Sequence, residues 1–239
     1  MVSAGKTPLS NVAIIPARGG SKRIPRKNLL PFDGVPMIVR SIRTALDSGL
    51  FEQVVVSTDD AEIADVARAH GAQVPFMRPA ALADDYTGTA AVIVHALQQL
   101  PAFDYACCVY ATAPLLQARY LRQGIELLEQ RPDKSFAFSV CGLVFRLQRA
   151  LTLDEQGALT ALYPEFRETR SQDLPEAFQD AGQFYWGRSA AWLRGEVLYS
   201  PASLPVILPR HLVQDIDTPE DWKRAEYLYA ALKAGGELQ

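Results

Sequence analysis

Short apolar runs alternate with segments of helical period over the first 140 residues of the chain. The runs are three to six residues long, which suits buried strands. Between them, apolar positions recur every three or four residues, which indicates helices packed on one face. We predict strands at 12–15, 53–57, 74–76, 105–110 and 135–140, with helices beginning near Pro36, Asp60, Thr87 or Thr89, and Leu121. This alternation predicts an α/β fold with a Rossmann-like, mainly parallel sheet flanked by helices.

The helical pattern fails between about 142 and 176. There, two apolar segments flank a turn that contains Gly157, which indicates a β-hairpin. A hairpin that protrudes from an α/β domain exposes apolar side chains unless another surface covers them. We therefore predict hairpin strands within 143–147 and 159–163, a loose polar tail at 1–10, and a single domain over 11–239 with 142–176 as the protruding hairpin region.

After this region the α/β pattern returns. We predict an extended segment at 177–186, a short helix at 188–193, and strands at 206–208 and 213–217. A final helix follows, because Thr218 is a good cap, Pro219 suits the first helical position and acidic residues occupy the first turn.

Composition and charge narrow the class of protein. The chain is 49% hydrophobic and 21% charged, as in an ordinary globular protein, and its net charge of −3 gives no general attraction to nucleic acid or to an anionic membrane. No apolar run is long enough to span a bilayer, and the first ten residues lack the apolar core of a secretory signal. Cys107, Cys108 and Cys141 fall on predicted strands, so we interpret them as reduced core residues of a cytoplasmic protein.

The most distinctive segment is the loop 16–28, which follows the first predicted strand. It contains two glycines and five cationic side chains, namely Arg18, Lys22, Arg23, Arg26 and Lys27. Such crowded cations face water or an anion, and glycines allow backbone N–H groups to approach a phosphate. The loop matches neither the Walker A motif nor the dinucleotide fingerprint, and an ordinary solvated loop is the alternative. Because loops after parallel strands meet at one edge of the sheet, we expect a polyphosphate site there.

An acidic pair lies near the other end of the chain. Asp215 and Asp217 are two residues apart on a predicted strand, so both carboxylates should face the same way. Like charges side by side are stabilised by a cation, and Mg²⁺ prefers one or two carboxylates together with phosphate oxygens. The alternatives are a surface acid at 215 and a helix-start acid at 217.

The segments 16–22 and 25–28 together resemble the opening motif of the CMP-sialic acid synthetase family, which consists of CTP-dependent cytidylyltransferases that act on keto-sugar acids. The segment 214–222 resembles the closing motif of that family, whose two aspartates hold magnesium. The resemblance implies CTP as substrate, Mg²⁺ (with Mn²⁺ as a possible substitute) on Asp215 and Asp217, and a homodimer in which the region 142–176 closes the partner's active site.

The resemblance also implies roles for single residues. Arg18, Lys27 and Asp217 would be catalytic. The nucleotide would contact Ala17, Arg18, Gly19, Gly20, Ser21, Lys22, Lys27, Asn28, Arg78 and Thr89. Arg78 is otherwise a plain surface arginine. No general base is evident, because His95 is predicted to pack within a helix.

The sugar acid is suggested by a departure from the sialic acid pattern. Where sialic acid synthetases have a glutamine that helps to hold the sugar, this chain has Tyr110. Tyr110 and the segments 170–174 and 180–186 resemble the branch of the family that acts on pseudaminic acid. The sugar would then contact Tyr110, Arg170, Gln172, Gln183 and Tyr185, although both tyrosines also suit a core or an interface.

The predicted reaction is transfer of CMP from CTP to the anomeric hydroxyl of this nonulosonic acid, with release of pyrophosphate. Three alternatives stay open. The acceptor could be sialic, legionaminic or KDO acid, the chain could be a nucleotide-sugar glycosyltransferase, or it could bind a nucleotide without catalysis.

Overall fold

The structure, a computed structural model, describes residues 10–238. The tail predicted at 1–10 therefore lies outside the described residues except for Ser10. The backbone N–H of Ser10 donates to Asp104 Oδ2 at 2.9 Å, which fixes the start of the described chain against the loop that precedes Tyr105.

Ten strands and six helices are formed by these residues. The strands are β1 (Asn11–Pro16), β2 (Pro31–Phe32), β3 (Val35–Pro36), β4 (Gln53–Ser57), β5 (Tyr105–Val109), β6 (Phe136–Gly142), β7 (Leu151–Leu153), β8 (Leu159–Ala161), β9 (Phe178–Arg188) and β10 (Ser203–Leu208). The helices are α1 (Met37–Asp47), α2 (Ala61–Ala69), α3 (Thr89–Gln99), α4 (Ala118–Gln130), α5 (Ser189–Leu193) and α6 (Pro219–Ala234). Each of these helices is too short or too polar to cross a bilayer.

Six strands form the central sheet in the order β10-β6-β9-β5-β1-β4. The β1–β4, β1–β5 and β10–β6 pairs are parallel, whereas β9 is antiparallel to both of its neighbours. The predicted mainly parallel sheet is thus confirmed. Because β9 runs against the others, its first residues lie at the edge where β5, β6 and β1 end.

Both faces of the sheet are covered by helices, and three apolar clusters form the core. Trp186 packs with α1 and α4 on one face, and its indole N–H donates to Leu121 O at 2.8 Å. Trp192 packs with α3 on the other face. The third cluster joins α6 to Phe32 and Met37, and so attaches the last helix to the loop that follows β1.

Three sequence predictions are wrong in detail. The segment 74–76 is not a strand, because Gln73 alone forms a bridge, to Val55. The segment 213–217 is extended but unpaired, because it follows the 3₁₀ turn Arg210–Leu212 beyond the end of the sheet. The argument that Asp215 and Asp217 face the same way on a strand therefore fails.

The hairpin region also differs in register. The turn around Gly157 is present, with φ +80°, but its first strand is β7 rather than 143–147. Asp154 Oδ1 accepts the backbone N–H groups of Gln156 and Ala158, which makes a tight turn and pairs Leu153 with Leu159. A tight turn pairs the residues nearest to it, so the segment 143–147 is too distant to join.

Candidate functional site

Two clefts lie side by side at the edge of the sheet where β1, β5, β6 and β10 end. The first, called here the basic cleft, has a volume of about 300 Å³. Its lining includes Arg18, Ser21, Lys22, Arg23, Lys27, Asn28, Arg78, Thr89, Tyr110 and Asp217. The second, called here the acidic cleft, has a volume of about 340 Å³. Its lining includes Cys141, Gln179, Asp180, Arg210, Gln214, Asp215, Asp217, Asp221 and Arg224. The predicted convergence of strand-end loops is confirmed, and Asp217 borders both clefts.

The cations of the loop 16–28 have carboxylate partners within the chain. Arg18 Nη1 lies 2.7 Å from Asp85 Oδ1, and Lys22 contacts the same carboxylate. These two cations lower the pKa of Asp85. The fold thus supplies counter-charges for these cations, so their crowding does not by itself require an external anion.

The ion pairs of Arg18 and Lys22 with Asp85 are nevertheless weak. The Lys22 side chain is 78% exposed, and those of Arg18 and Asp85 are each about one-third exposed. Ion pairs between solvated side chains contribute little, about 0–1 kcal/mol. A phosphate chain, which offers several charged oxygens, could take Arg18 and Lys22 from Asp85. Arg26 differs, because it pairs with Glu62 at 2.5 Å and does not line the basic cleft.

Ala17, Gly19 and Gly20 shape the loop without lining the basic cleft. The backbone N–H of Gly19 donates to Asp59 Oδ1 at 3.1 Å and so is already used. A Cβ on Gly19 would lie 2.6 Å from Asp60 Oδ2, so this position requires glycine. Gly20 has no such neighbour. The predicted inward-pointing N–H group is therefore wrong for Gly19.

Two buried polar side chains support the floor of the basic cleft. Asn28 Nδ2 donates to Arg18 O at 3.0 Å and fixes the loop. Arg78 Nη2 donates to Ser57 O at 2.7 Å, and its Nε is buried with no partner among the described residues. Burial lowers the pKa of Arg78, with Asp59 opposing this effect. Arg78 is therefore not the plain surface arginine that was the alternative.

Lys27 connects the front of the chain to its end. Its ammonium donates to Ile216 O and lies 3.7 Å from Asp217 Oδ1. Burial lowers the pKa of Lys27, although Asp217 and Asp215 act in the opposite direction. Arg23, which sequence reasoning did not place in the site, lies 2.8 Å from the same oxygen of Asp217. The basic loop and the acidic pair are thus brought together, as predicted.

The acidic pair has the character of a cation site. Asp215 is exposed at the acidic cleft, yet neighbouring protein partly desolvates its carboxylate, and this effect, followed by repulsion from Asp217, raises its pKa. A cation would relieve that repulsion. Within residues 10–238 no three His, Cys, Asp or Glu side chains are grouped as a complete metal site. Two carboxylates with room for phosphate oxygens suit Mg²⁺, which rarely uses an all-protein cage.

Aromatic side chains connect Thr89 of the basic cleft with Asp180 of the acidic cleft. Thr89 Oγ1 and Tyr110 Oη are 3.0 Å apart on the basic side, and the rings of Tyr110 and Tyr185 are 5.3 Å apart. Tyr185 and Tyr199 each donate a hydroxyl hydrogen bond of 2.6 Å to Asp180 Oδ2 on the acidic side. Burial, followed by Tyr110 and Asp180, raises the pKa of Tyr185, so its hydroxyl stays protonated.

The other predicted sugar-binding residues are dispersed. Gln183 is buried, and its Nε2 donates to Leu212 O at 2.5 Å. Arg170 and Gln172 are exposed outside both clefts, and Arg170 pairs with Asp173 at 2.8 Å. Their proposed roles stay predictions that depend on a partner chain.

Sequence reasoning missed Asp180, Tyr199 and Arg210. Asp180 lies within the segment 180–186 that carries the family resemblance, but no feature of the sequence indicates its contact with Tyr199. Arg210 follows the end of β10, and the rule that sites form at strand ends could have indicated it. His95 packs edge-on against Phe76 as predicted, with ring centroids 5.3 Å apart, and the three cysteines are buried and unbridged.

Comparison with known proteins gives a consistent result. The model of a family described as cytidylyltransferase matches residues 12–185. Over 225 residues the chain is 45% identical to a pseudaminic acid cytidylyltransferase of Campylobacter jejuni subsp. jejuni serotype O:2, covering 92% of this chain and 97% of that relative. It is 31% identical over 235 residues to a CMP-N,N'-diacetyllegionaminic acid synthase of Legionella pneumophila, covering 91% and 95%.

A solved structure has the same fold. It is a CMP:2-keto-3-deoxy-manno-octonic acid synthetase complexed with CTP, and it matches with a TM-score of 0.69 at 18% identity, over 93% of this chain and 99% of that one.

Proposed function

The chain belongs to the cytidylyltransferase family, and on that premise we propose that it transfers CMP from CTP to the anomeric hydroxyl of pseudaminic acid, with release of pyrophosphate. The main observation in support of the proposal is that Asp217 lines both clefts, the basic cleft on one side and the acidic cleft on the other. Such an arrangement suits a nucleotide and an acceptor that react across one carboxylate.

We assign the triphosphate to the basic cleft. Lys22 contacts Asp85, and Arg18 contacts Asp85 and the backbone oxygen of Asp84. These partners lie near the surface, so both cations can turn to phosphate oxygens. Lys27 is more buried and is held beside Asp217, so it is already in place. Fixed cations at the point where charge develops stabilise the transition state without reorganisation. These three side chains would neutralise the charge of the departing pyrophosphate.

We propose that Asp215 and Asp217 hold Mg²⁺, or Mn²⁺ in its place. When bound, the ion would neutralise phosphate charge and stabilise the developing negative charge at the reacting phosphoryl group. Arg23 now pairs with Asp217 and would have to leave this carboxylate. The Arg23 side chain is 65% exposed, so the movement costs little.

The acceptor hydroxyl would give up its proton to water as its oxygen attacks the α-phosphorus. The bond between the α-phosphorus and the oxygen that bridges to the β-phosphate would break, and pyrophosphate would leave with the bonding electron pair. The chain contributes position and charge to this step. The two clefts meet at Asp217, and holding both substrates in place there could supply up to about 7–11 kcal/mol of the barrier. Asn28, Arg78 and Thr89, which line the same cleft, would hold the nucleoside end.

We also propose a homodimer that acts in the cytoplasm, where CTP is available. Large apolar side chains are exposed between 144 and 162, and together they form a surface that a second copy could cover. These exposed side chains are Val144, Phe145, Leu147, Leu151, Leu153, Leu159 and Leu162.

The test is a pyrophosphate-release assay with CTP, Mg²⁺ and a panel of pseudaminic, legionaminic, sialic and KDO acids. We expect turnover with pseudaminic acid to exceed that with the others, and chelation to abolish it until Mg²⁺ or Mn²⁺ is restored. Turnover with another acid alone would correct the acceptor. Turnover with UTP but not with CTP would overturn the proposal. So would the absence of turnover with every acid of the panel.

The same assay separates the other classes of function. A glycosyltransferase would consume a nucleotide-sugar without releasing pyrophosphate, and a nucleotide sensor would bind CTP in calorimetry without turnover. Neither class explains why a polyphosphate-sized basic cleft adjoins a second cleft across an acidic pair.

A further inference from the structure

The acidic cleft presents an electrostatic problem for an acidic acceptor. Four carboxylates line it, those of Asp180, Asp215, Asp217 and Asp221. Its volume of about 340 Å³ falls within the range of small-molecule sites, about 300–1,000 Å³. A keto-sugar acid that enters must bring its own carboxylate close to these four. Mg²⁺ on Asp215 and Asp217 would offset part of this charge, but Asp180 and Asp221 remain. A cationic side chain on the wall of this cleft would therefore favour binding of the acid.

Only Arg210 and Arg224 supply positive charge among the described residues that line the acidic cleft. They are not equivalent. Arg224 lies on α6, where its charge acts on Asp221 and helps to lower the pKa of that carboxyl. Among residues 10–238 neither guanidinium has a hydrogen bond or ion pair, but Arg210 lies just beyond β10, at the end of a sheet strand. An arginine without a partner at the rim of a cleft is available to a ligand.

The backbone that carries Arg210 is firmly placed. Arg210 begins the 3₁₀ turn Arg210–Leu212, and Leu212 at the end of that turn is fully buried. The carbonyl of Leu212 accepts the hydrogen bond from Gln183, which is itself buried in β9. The guanidinium is close enough to Cys141, at the end of β6, to lower the pKa of that thiol, although burial dominates and raises it. Because the backbone is already fixed, binding needs to order only the side chain of Arg210.

Resting on the proposed function, we propose that Arg210 binds the carboxylate of the keto-sugar acid in the acidic cleft and so selects acidic acceptors. A guanidinium pairs with a carboxylate through two parallel hydrogen bonds, which fixes orientation as well as position. With the carboxylate held at the end of β10, the sugar can extend toward Asp217, where the anomeric hydroxyl must meet CTP.

This assignment differs from the one based on Arg170. Arg170 is exposed, pairs with Asp173, and lies outside both clefts of its own chain. It could reach an acceptor only in a partner's site. Arg210, in contrast, lines the cleft of the chain that also supplies Asp215 and Asp217.

The test compares R210A and R210K with R224A, which removes the other arginine of the same cleft. For R210A we expect the KM for pseudaminic acid to rise by about 10- to 100-fold, as for loss of a charged hydrogen-bonded pair, with an unchanged KM for CTP. R210K should recover part of the loss, because lysine restores the charge but not the two-point contact. R224A should raise the KM for the acid much less than R210A does, because the charge of Arg224 acts on Asp221.

A second readout excludes a merely structural effect. The wild-type protein should bind pseudaminic acid more tightly than its carboxamide in calorimetry, whereas R210A should bind the two alike. If R210A keeps the wild-type preference for the acid, the inference is overturned, whatever the result for R170A. Failure of the wild-type protein to turn over any keto-sugar acid would instead refute the proposed function, and the calorimetric comparison would still decide the role of Arg210.

Discussion

Asp215 and Lys27 are two residues of the site whose charged forms reduce the stability of the folded protein. Asp215 has a raised pKa because it is desolvated and repelled by Asp217, and Lys27 has a lowered pKa because it is buried. In both cases the charged form is disfavoured by the fold, yet both charges are required for the proposed chemistry. Such strain at titratable groups is typical of functional sites.

Replacing Asp215 by asparagine should stabilise the metal-free protein and abolish most activity. Since the pKa of Asp215 is raised on folding, its ionisation opposes folding at neutral pH, and a neutral amide removes that cost. The gain in Tm should fade as pH falls through the raised pKa toward the ordinary value, because the wild-type carboxyl is then protonated too. Turnover should fall by about 100-fold or more, the scale for losing one electrostatic contact in a transition state.

Thermal melts over a pH series and the pyrophosphate assay measure both effects. Asp65→Asn, which changes an exposed acid paired with Arg68 on α2, is the matched control and should alter neither. A D215N protein that melts lower than wild type at neutral pH would contradict the argument.

Lys27 should set the alkaline limit of activity. An ordinary lysine has a pKa near 10.5, and burial lowers the pKa of Lys27 below this value. Lys27 therefore loses its charge at a lower pH than an ordinary lysine does. In the free protein, kcat/KM for CTP should therefore decline as Lys27 deprotonates. K27R should shift this decline to higher pH, because arginine stays charged. K22R, at the exposed lysine of the same loop, should leave the profile unchanged, and identical profiles for K27R and wild type would exclude Lys27 as the titrating group.

Among the elements, β9 connects the acidic cleft to the core. Its first residues bring Asp180 and Gln183 to the edge where the parallel strands end, and its later residues place Tyr185, Trp186 and Gly187 in the core. The strand can lie at the centre of the sheet because Gly187 lets two aromatic rings pack directly on its backbone. A Cβ there would lie 2.4 Å from Trp192 Nε1 and 2.6 Å from Phe136 Cδ1.

The substitution G187A should therefore destabilise the protein by about 1–3 kcal/mol, the usual cost of overpacking a core. Denaturant unfolding measures the change as a lower midpoint at unchanged slope. G142A in β6 is the matched control, since a Cβ at Gly142 has no neighbour within 4 Å. Equal midpoints for the two variants would mean that the aromatic rings move aside without cost.

At the scale of the whole molecule, the protruding hairpin is the feature that a single chain leaves unexplained. Leu153 and Leu159 are paired across β7 and β8, and each is 68% exposed. Two leucines on one solvated face of a two-stranded ribbon are unfavourable unless another surface covers them. The proposed homodimer provides such a cover.

A charged pair at these positions should produce monomers. Leu153→Glu with Leu159→Lys keeps a favourable cross-strand pair in the hairpin but removes its apolar face. Light scattering should show a dimer for the wild type and a monomer for this variant, with turnover reduced if the partner completes the site. The control is Thr152→Glu with Thr160→Lys, the neighbouring cross-strand pair on the opposite face. A dimeric L153E/L159K protein would place the interface elsewhere.

The sequence alone determined the elements whose signals are local. Strand β1 ends where apolar residues give way to Arg18 and Gly19, and helix α6 begins where Thr218 and Pro219 supply a cap and a first turn. These features depend on neighbours a few residues apart, so the pattern carries them. The family resemblance rested on the same two segments and led to the same reaction.

Only the tertiary structure decided which residues meet. Lys27 contacts Ile216 across 189 residues of chain, Tyr199 and Tyr185 share Asp180, and Arg210 lies on the wall of the acidic cleft. No period or spacing encodes such contacts, because they depend on how β9 inserts between β5 and β6 and on how the chain turns after β10. The physical reason is that backbone preferences act locally, whereas a site is assembled by packing between segments that are distant in the chain.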